Sequence, residues 1–262
     1  MFDTIIHRWL RVPYALNVRY LMRRDHAKQT ILLIHGIGDT GDLWKDLFDE
    51  LPSDANIVAV DLLGFGNSPR PNWGVYDART QARCLLATYL HLGLRGPVRI
   101  VGHSLGCLVA IDFARRYPML IKQLILCAPP IYRKKDAKIK YADDRLRELY
   151  KYAAKKPKLI VNLFGLGQKM RLLNPSIEVT RDNVDMFIKS LHASIINQRT
   201  VDDIGKIKAP ITIIYGVVDP FVIRTNLAEL QNRYKNVTVI DIPASHNISK
   251  PYRNEILKAL SA

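Results

Sequence analysis

Apolar residues fall along this chain in short blocks separated by longer stretches of helical spacing. Ile31-Leu32-Leu33-Ile34 is a compact apolar run, the signature of a strand buried on both faces. Similar blocks at residues 56–60, 98–101, 122–127, 211–215 and 237–240 predict further strands. Residues 14–22 alternate apolar and polar, which predicts another strand, and the polar stretch 23–29 predicts a hairpin joining it to the next. Residues 43–51 predict a short helix stopped by Pro52, and residues 81–92 a helix with apolar positions at helical spacing. Residues 104–117 predict a helix ended by Pro118, and residues 223–234 and 252–260 two more. Strand and helix in alternation predict an α/β fold, a mostly parallel sheet flanked by helices.

The alternation stops at Ala128-Pro129-Pro130. Residues 131–200 read as helical without a clear buried strand, and the strand signals then resume. The expected layout is therefore a core made of residues 1–130 and 201–262, interrupted by a helical lid at residues 131–200. Phe164, Leu166, Met170, Met186 and Phe187 supply the lid with apolar side chains, which at helical spacing serve first to pack it on the core.

Composition adds one unusual feature. The chain has 39 Lys and Arg against 24 Asp and Glu, a formal net charge of +15. Residues 131–175 hold 13 of those bases and 4 of those acids, so much of the excess lies in the lid. Such a balance fits either a solvated cationic face or weak association with an anionic surface through the lid; no nucleic-acid partner is expected. The three cysteines, Cys84, Cys107 and Cys127, lack metal-ligand spacing and read as buried thiols of a reducing compartment. Residues 1–10 are broken by charge too often for a signal peptide, and no apolar run approaches the roughly 18 residues needed to span a bilayer. The expectation is a soluble cytoplasmic protein of undetermined oligomeric state.

The chemistry centres on Gly102-His103-Ser104-Leu105-Gly106, between a predicted strand and a predicted helix. A turn this tight excludes side chains at Gly102 and Gly106 and lifts the Ser104 hydroxyl above the sheet. The helix that begins there aims free N–H groups at any oxyanion forming on a substrate. A serine hydroxyl is a poor nucleophile without a base, and the base needs an acid to fix its tautomer. In an open α/β sheet both should lie in loops at the carboxyl ends of later strands. Asp219, just after the strand at 211–215, and His246, after the last strand, meet that condition. His35 and His103 sit in tight turns, and Asp241 falls within or at the end of its own strand. The second oxyanion donor should come from the loop His35-Gly36-Ile37-Gly38-Asp39, so the N–H groups of Ile37 and Leu105 are the predicted pair.

With these residues in place the chain resembles an α/β-hydrolase. His35-Gly36, Asp61-Leu62-Leu63-Gly64-Phe65-Gly66-Asn67-Ser68, Gly102 to Gly106, Gly216-Val217-Val218-Asp219 and Ser245-His246 carry the likeness. The resemblance implies an eight-stranded mostly parallel sheet, a lid that shapes the pocket, and a serine mechanism on a small acyl substrate that uses no cofactor. Ser245 stands where the family often has glycine, and Cys107 where it often has another small residue. The expected reaction is hydrolysis of a carboxylic ester or related acyl bond, with C–C bond hydrolysis as the alternative on the same triad. A non-catalytic binding module is the second class, weighed against by the completeness of the constellation. Gly36-Ile37-Gly38-Asp39-Thr40-Gly41 also matches G-x-G-x-x-G, with Asp61 about 20 residues on and Tyr152 and Lys156 at dehydrogenase spacing. That NAD(P)-dependent reading ranks below, because it leaves Ser104, Asp219 and His246 unexplained.

Overall fold

A computed structural model describes residues 2–133, 161–162, 165–166, 169, 179–180, 183–196, 198 and 200–261. The strands are β1 (Val18–Met22), β2 (Gln29–Ile34), β3 (Ala55–Val60), β4 (Val98–His103), β5 (Ile121–Cys127), β6 (Ile211–Gly216) and β7 (Val237–Ile242). They form one sheet in the order β1-β3-β2-β4-β5-β6-β7. All pairs are parallel except β1 with β3.

The apolar runs explain the layering. Along β2, Leu32 and Ile34 enter the core on one face, beneath α1 (Ala78–His91) and α2 (Leu105–Arg116). Ile31 and Leu33 enter the other, with Trp44 and Leu47 of the 3₁₀ segment Gly41–Glu50. Burial on both faces contributes about 2 kcal/mol for each such side chain, which is why the central strands carry no polar alternation. Among the remaining helices are α3 (Val184–Ser190), α4 (Thr200–Ile204), α5 (Arg224–Arg233) and α6 (Lys250–Ser261).

Two expectations are corrected. Among the described residues the sheet has seven strands, not eight; the residues themselves carry seven strand signals, and the eighth came from the resemblance alone. β1 pairs not with β2 as a hairpin but with β3, Val18 facing Val60 and Met22 facing Ile57. β2 has both edges occupied by β3 and β4, so the free edge of β3 is the one open to β1.

Most of the expected lid, including Tyr152, Lys156, Phe164 and Met170, lies outside the described residues. Within the described part, Val184, Phe187 and Ile188 of α3 join the same hydrophobic core as Leu105 and Leu108. The Ser194 hydroxyl donates to the Tyr76 carbonyl at 2.9 Å, and Lys189 Nζ to that of Asn72 at 3.2 Å. Leu166 is exposed.

Asp61, at the carboxyl end of β3, fixes the β1 edge. Its Oδ1 accepts from Gly41 N–H at 2.9 Å and Arg19 Nε at 3.2 Å. Its Oδ2 accepts from Asn17 Nδ2 at 2.8 Å, Asn67 N–H at 2.9 Å and Arg19 Nη2 at 2.9 Å. Burial alone would raise its pKa; the N–H groups of Asn67 and Gly41, with Arg19 and Asn17, outweigh burial and lower it. A depressed carboxylate pKa means this stabilisation is complete above the unfolded value of about 3.9 and is lost as pH falls through the folded value. Asp61→Asn is expected to cost about 3 kcal/mol at neutral pH, because half-buried Arg19 loses its nearest carboxylate and buried N–H donors lose their acceptor. Thermal denaturation measures this, and an unchanged melting temperature would mean that Asp61 does not hold this edge.

Candidate active site

β4 ends at His103, and α2 begins at Leu105. Ser104 between them has φ 50° and ψ −115°, a left-handed backbone rare for a non-glycine residue. The flanking glycines make the turn feasible. A Cβ on Gly102 would lie 2.7 Å from the Gly106 carbonyl oxygen, and one on Gly106 would lie 2.4 Å from that of Ile34. Both obstacles are backbone and cannot move aside. The Ser104 N–H donates to the Cys127 carbonyl at 3.0 Å, tying the turn to the neighbouring strand.

Asp219 follows β6 and His246 follows β7. The two loops approach so closely that a Cβ on Gly216 would sit 2.1 Å from the Ala244 carbonyl oxygen. His246 Nδ1 lies 2.7 Å from Asp219 Oδ2, and His246 Nε2 lies 3.0 Å from Ser104 Oγ. The Asp219 side chain is fully buried, and its Oδ1 accepts from Phe221 N–H at 2.8 Å. An ionised carboxylate only accepts, so His246 carries its proton on Nδ1 and leaves Nε2 free to receive the Ser104 hydroxyl hydrogen. This geometry can turn an inert alcohol into a nucleophile.

The predicted donor loop runs along the other side of Ser104. A Cβ on Gly36 would lie 3.2 Å from Ser104 Cβ and 3.0 Å from His103 Nδ1, so the Gly36 backbone passes close beside the elbow. Leu105, the first residue of α2, has no intrahelical carbonyl for its N–H. His35 holds this loop in shape. Its Nδ1–H donates to the Gly36 carbonyl at 2.6 Å, and its Nε2 accepts from Leu62 N–H at 2.8 Å. Burial lowers its pKa to about 4, so it is neutral at pH 7.

The supporting roles of three residues escaped the sequence analysis. His103 Nε2–H donates to the His246 carbonyl at 2.8 Å and holds the His246 loop over the elbow. Burial, reinforced by neighbouring His246, lowers its pKa to about 3. The Tyr252 hydroxyl accepts from Gly216 N–H at 2.9 Å and donates to the Ser245 carbonyl at 3.1 Å, joining the acid and base loops. The Phe221 ring stands edge-on to His246, centroids 4.9 Å apart. His103 lies inside the Gly102–Gly106 motif, but nothing local marks its distant partner; no motif marks Tyr252 or Phe221, and Gly216, at the end of β6 and shortly before Asp219, is the local hint.

Of the two departures from the family pattern, Cys107 is buried, with Sγ 3.1 Å from the Gly102 carbonyl oxygen and 3.2 Å from that of Cys127. The dinucleotide reading also meets an obstacle, since the Asp61 carboxylate is committed to the donors of its own edge and is not free for a ribose. Among the described residues, no group of three or more His, Cys, Asp or Glu could hold a metal ion.

Comparison with known proteins agrees with the architecture. Residues 29–162, just over half the chain, match a family model described as the alpha/beta hydrolase fold. A stretch of 110 residues is 39% identical to "Probable lysophospholipase BODYGUARD 3" of Arabidopsis thaliana, covering 40% of this chain and 22% of that protein. This chain thus spans about a fifth of the length of the relative it matches. Among solved structures, a thermophilic esterase from Thermogutta terrifontis superposes with a TM-score of 0.72 at 20% identity, over 94% of this chain and 95% of that one. The α/β hydrolase MGS-M2, from a Medee basin deep-sea metagenome library, superposes with a TM-score of 0.74 at 21% identity, over 93% and 94%.

Proposed function

The chain belongs to the α/β-hydrolase fold family, and within it we propose a serine hydrolase that cleaves a carboxylic ester or related acyl bond of a small molecule. One observation carries the reading: the continuous relay Ser104 Oγ, His246, Asp219, beside a backbone loop that can supply oxyanion donors. In this reading Ser104 attacks the acyl carbon while His246 takes its proton. The negative charge on the carbonyl oxygen is met by the N–H groups of Ile37 and Leu105, where removing one such donor typically costs about 3 kcal/mol. His246 returns the proton to the leaving alcohol, water then enters by the same route, and Asp219 steadies the imidazolium throughout.

Residues 131–200 act as the lid of this site and set the substrate. The names of the relatives, a lysophospholipase and an esterase, favour an oxygen ester over other acyl bonds. The basic residues of the lid suit weak association with anionic surfaces. Cys84, Cys107 and Cys127 are buried free thiols, in keeping with a reducing, cytoplasmic setting.

A fluorophosphonate probe tests the central claim. The activated Ser104 is expected to displace fluoride and form a stable phosphonyl ester, found by mass spectrometry on the peptide that contains Ser104. An unlabelled protein, or a label on another residue, would overturn the reading. A parallel panel of acyl-chain lengths and leaving groups then separates esters from thioesters and lactones.

A further inference from the structure

Residues 2–12 hold 6 of the 13 exposed large hydrophobic side chains among the described residues. Phe2 is 82% exposed, Trp9 75% and Leu10 68%. Phe2, Ile5, Ile6 and Trp9 recur at helical spacing, and Thr4–Trp9 is helical. Such a stripe normally turns toward the core. Here it turns outward, and the polar side holds the segment to the body. The Tyr14 hydroxyl donates to Asp3 Oδ2 at 2.8 Å. The His7 ring stacks on Tyr14 with centroids 3.6 Å apart, and its Nδ1–H donates to the Val12 carbonyl at 2.7 Å. Arg83 Nη2 donates to the Arg11 carbonyl at 2.8 Å. The apolar stripe is therefore held in place and faces solvent, an arrangement that marks an interaction surface.

Its position follows from the sheet. β1 runs antiparallel to β3 with Val18 opposite Val60, so β1 starts at the carboxyl edge of the parallel strands. Ser104, Asp219 and His246 leave their strands at that same edge. Asn17 is anchored there, its N–H donating to Ser68 Oγ and its Nδ2 to Asp61. The segment that carries the exposed stripe thus leads into the sheet at the edge that bears the candidate site.

The exposed charges of this edge are mostly positive. Arg8 and Arg11 belong to the segment itself, and Arg70 and Arg79 are exposed in the stretch that follows β3. Of the nearby acids, Asp3 receives the Tyr14 hydroxyl, and Asp77 caps α1 by accepting from Thr80 N–H. A second copy of the chain would bring the same arginines against these. An anionic bilayer complements them, and a segment of Phe, Ile, Trp and Leu interleaved with Arg has the composition of an interfacial helix. Among the described residues no helix is long and apolar enough to cross a membrane, so the segment would lie in the plane of the surface.

We propose that residues 2–12 seat the protein on an anionic lipid bilayer, with Phe2, Ile5, Ile6, Trp9 and Leu10 in the headgroup region and Arg8 and Arg11 against lipid phosphates. The seat turns the edge bearing Ser104 toward the membrane. Its consequence for the substrate, an acyl ester drawn from the bilayer, rests on the serine-hydrolase reading; the seat itself does not.

Sedimentation of the full chain with vesicles tests the seat without turnover. The protein is expected to pellet with vesicles of phosphatidylcholine mixed with phosphatidylglycerol, less with phosphatidylcholine alone, and less in ~0.5 M salt. Ile5→Glu/Trp9→Glu should bind at least about tenfold more weakly while keeping the wild-type melting temperature, because both side chains are exposed. Arg8→Glu/Arg11→Glu should lose the preference for the anionic lipid. Three outcomes would overturn the proposal: wild-type protein left in the supernatant with anionic vesicles, undiminished binding by Ile5→Glu/Trp9→Glu, or a wild-type dimer that this variant dissociates. Hydrolysis of a water-soluble ester by wild-type protein, measured separately, reports on the serine-hydrolase reading alone, so either idea can fail without the other.

Discussion

Ser104→Ala is expected to lower turnover of a water-soluble ester by about 10⁶-fold while the protein stays folded. The alanine keeps the Cβ but removes the one oxygen that His246 Nε2 faces at 3.0 Å. The imidazole then has no alcohol to deprotonate, and no acyl-enzyme can form. The glycines that permit the turn and the Ser104 N–H bond to Cys127 are untouched, so the backbone at φ 50° has the same support. A residual rate about 10³ to 10⁴-fold above that in water is expected from substrate binding and the proposed Ile37 and Leu105 donors. Steady-state kinetics, with a thermal melt to establish folding, provides the measurement. An alanine variant that turns over at the wild-type rate would eliminate Ser104 as the nucleophile and the acyl-enzyme with it.

The sequence disclosed most where one physical constraint has one solution. Parallel strands covered on both faces must be apolar throughout, so Ile31 to Ile34 could be read directly. Gly102 and Gly106 announce the elbow because any side chain there meets backbone. The partner of β1 was not legible: adjacency in sequence suggested β2, and the outcome depended on which strand edge remained open once β4 had paired with β2. His103 and Tyr252 were hidden for a related reason. Each acts through a backbone group of a loop that approaches only after folding, and His103 bonds to a residue 143 positions away. The segment at residues 2–12 shows a third limit. An apolar helical stripe has the same period whether it packs inward or faces out, and only the Asp3 and His7 contacts to Tyr14 reveal its direction.

Asp219→Asn is the second large effect, an expected loss of about 10⁴-fold in turnover from the exchange of one oxygen for an NH₂ group. Phe221 N–H donates to Asp219 Oδ1, so the asparagine carbonyl will keep that position and accept the same bond. Its amide nitrogen then occupies the place of Oδ2, 2.7 Å from His246 Nδ1. Two donors cannot face each other, so the imidazole moves its proton to Nε2. That proton points at Ser104 Oγ, where the base should have been. The imidazolium formed during attack also loses the buried negative charge that steadied it. Because the residues act as a unit, Ser104→Ala/Asp219→Asn should be no slower than Ser104→Ala alone. Kinetics of the two single variants and the double variant on one ester make the comparison. Losses that multiplied in the double variant would show Asp219 acting apart from Ser104, and the relay would have to be abandoned.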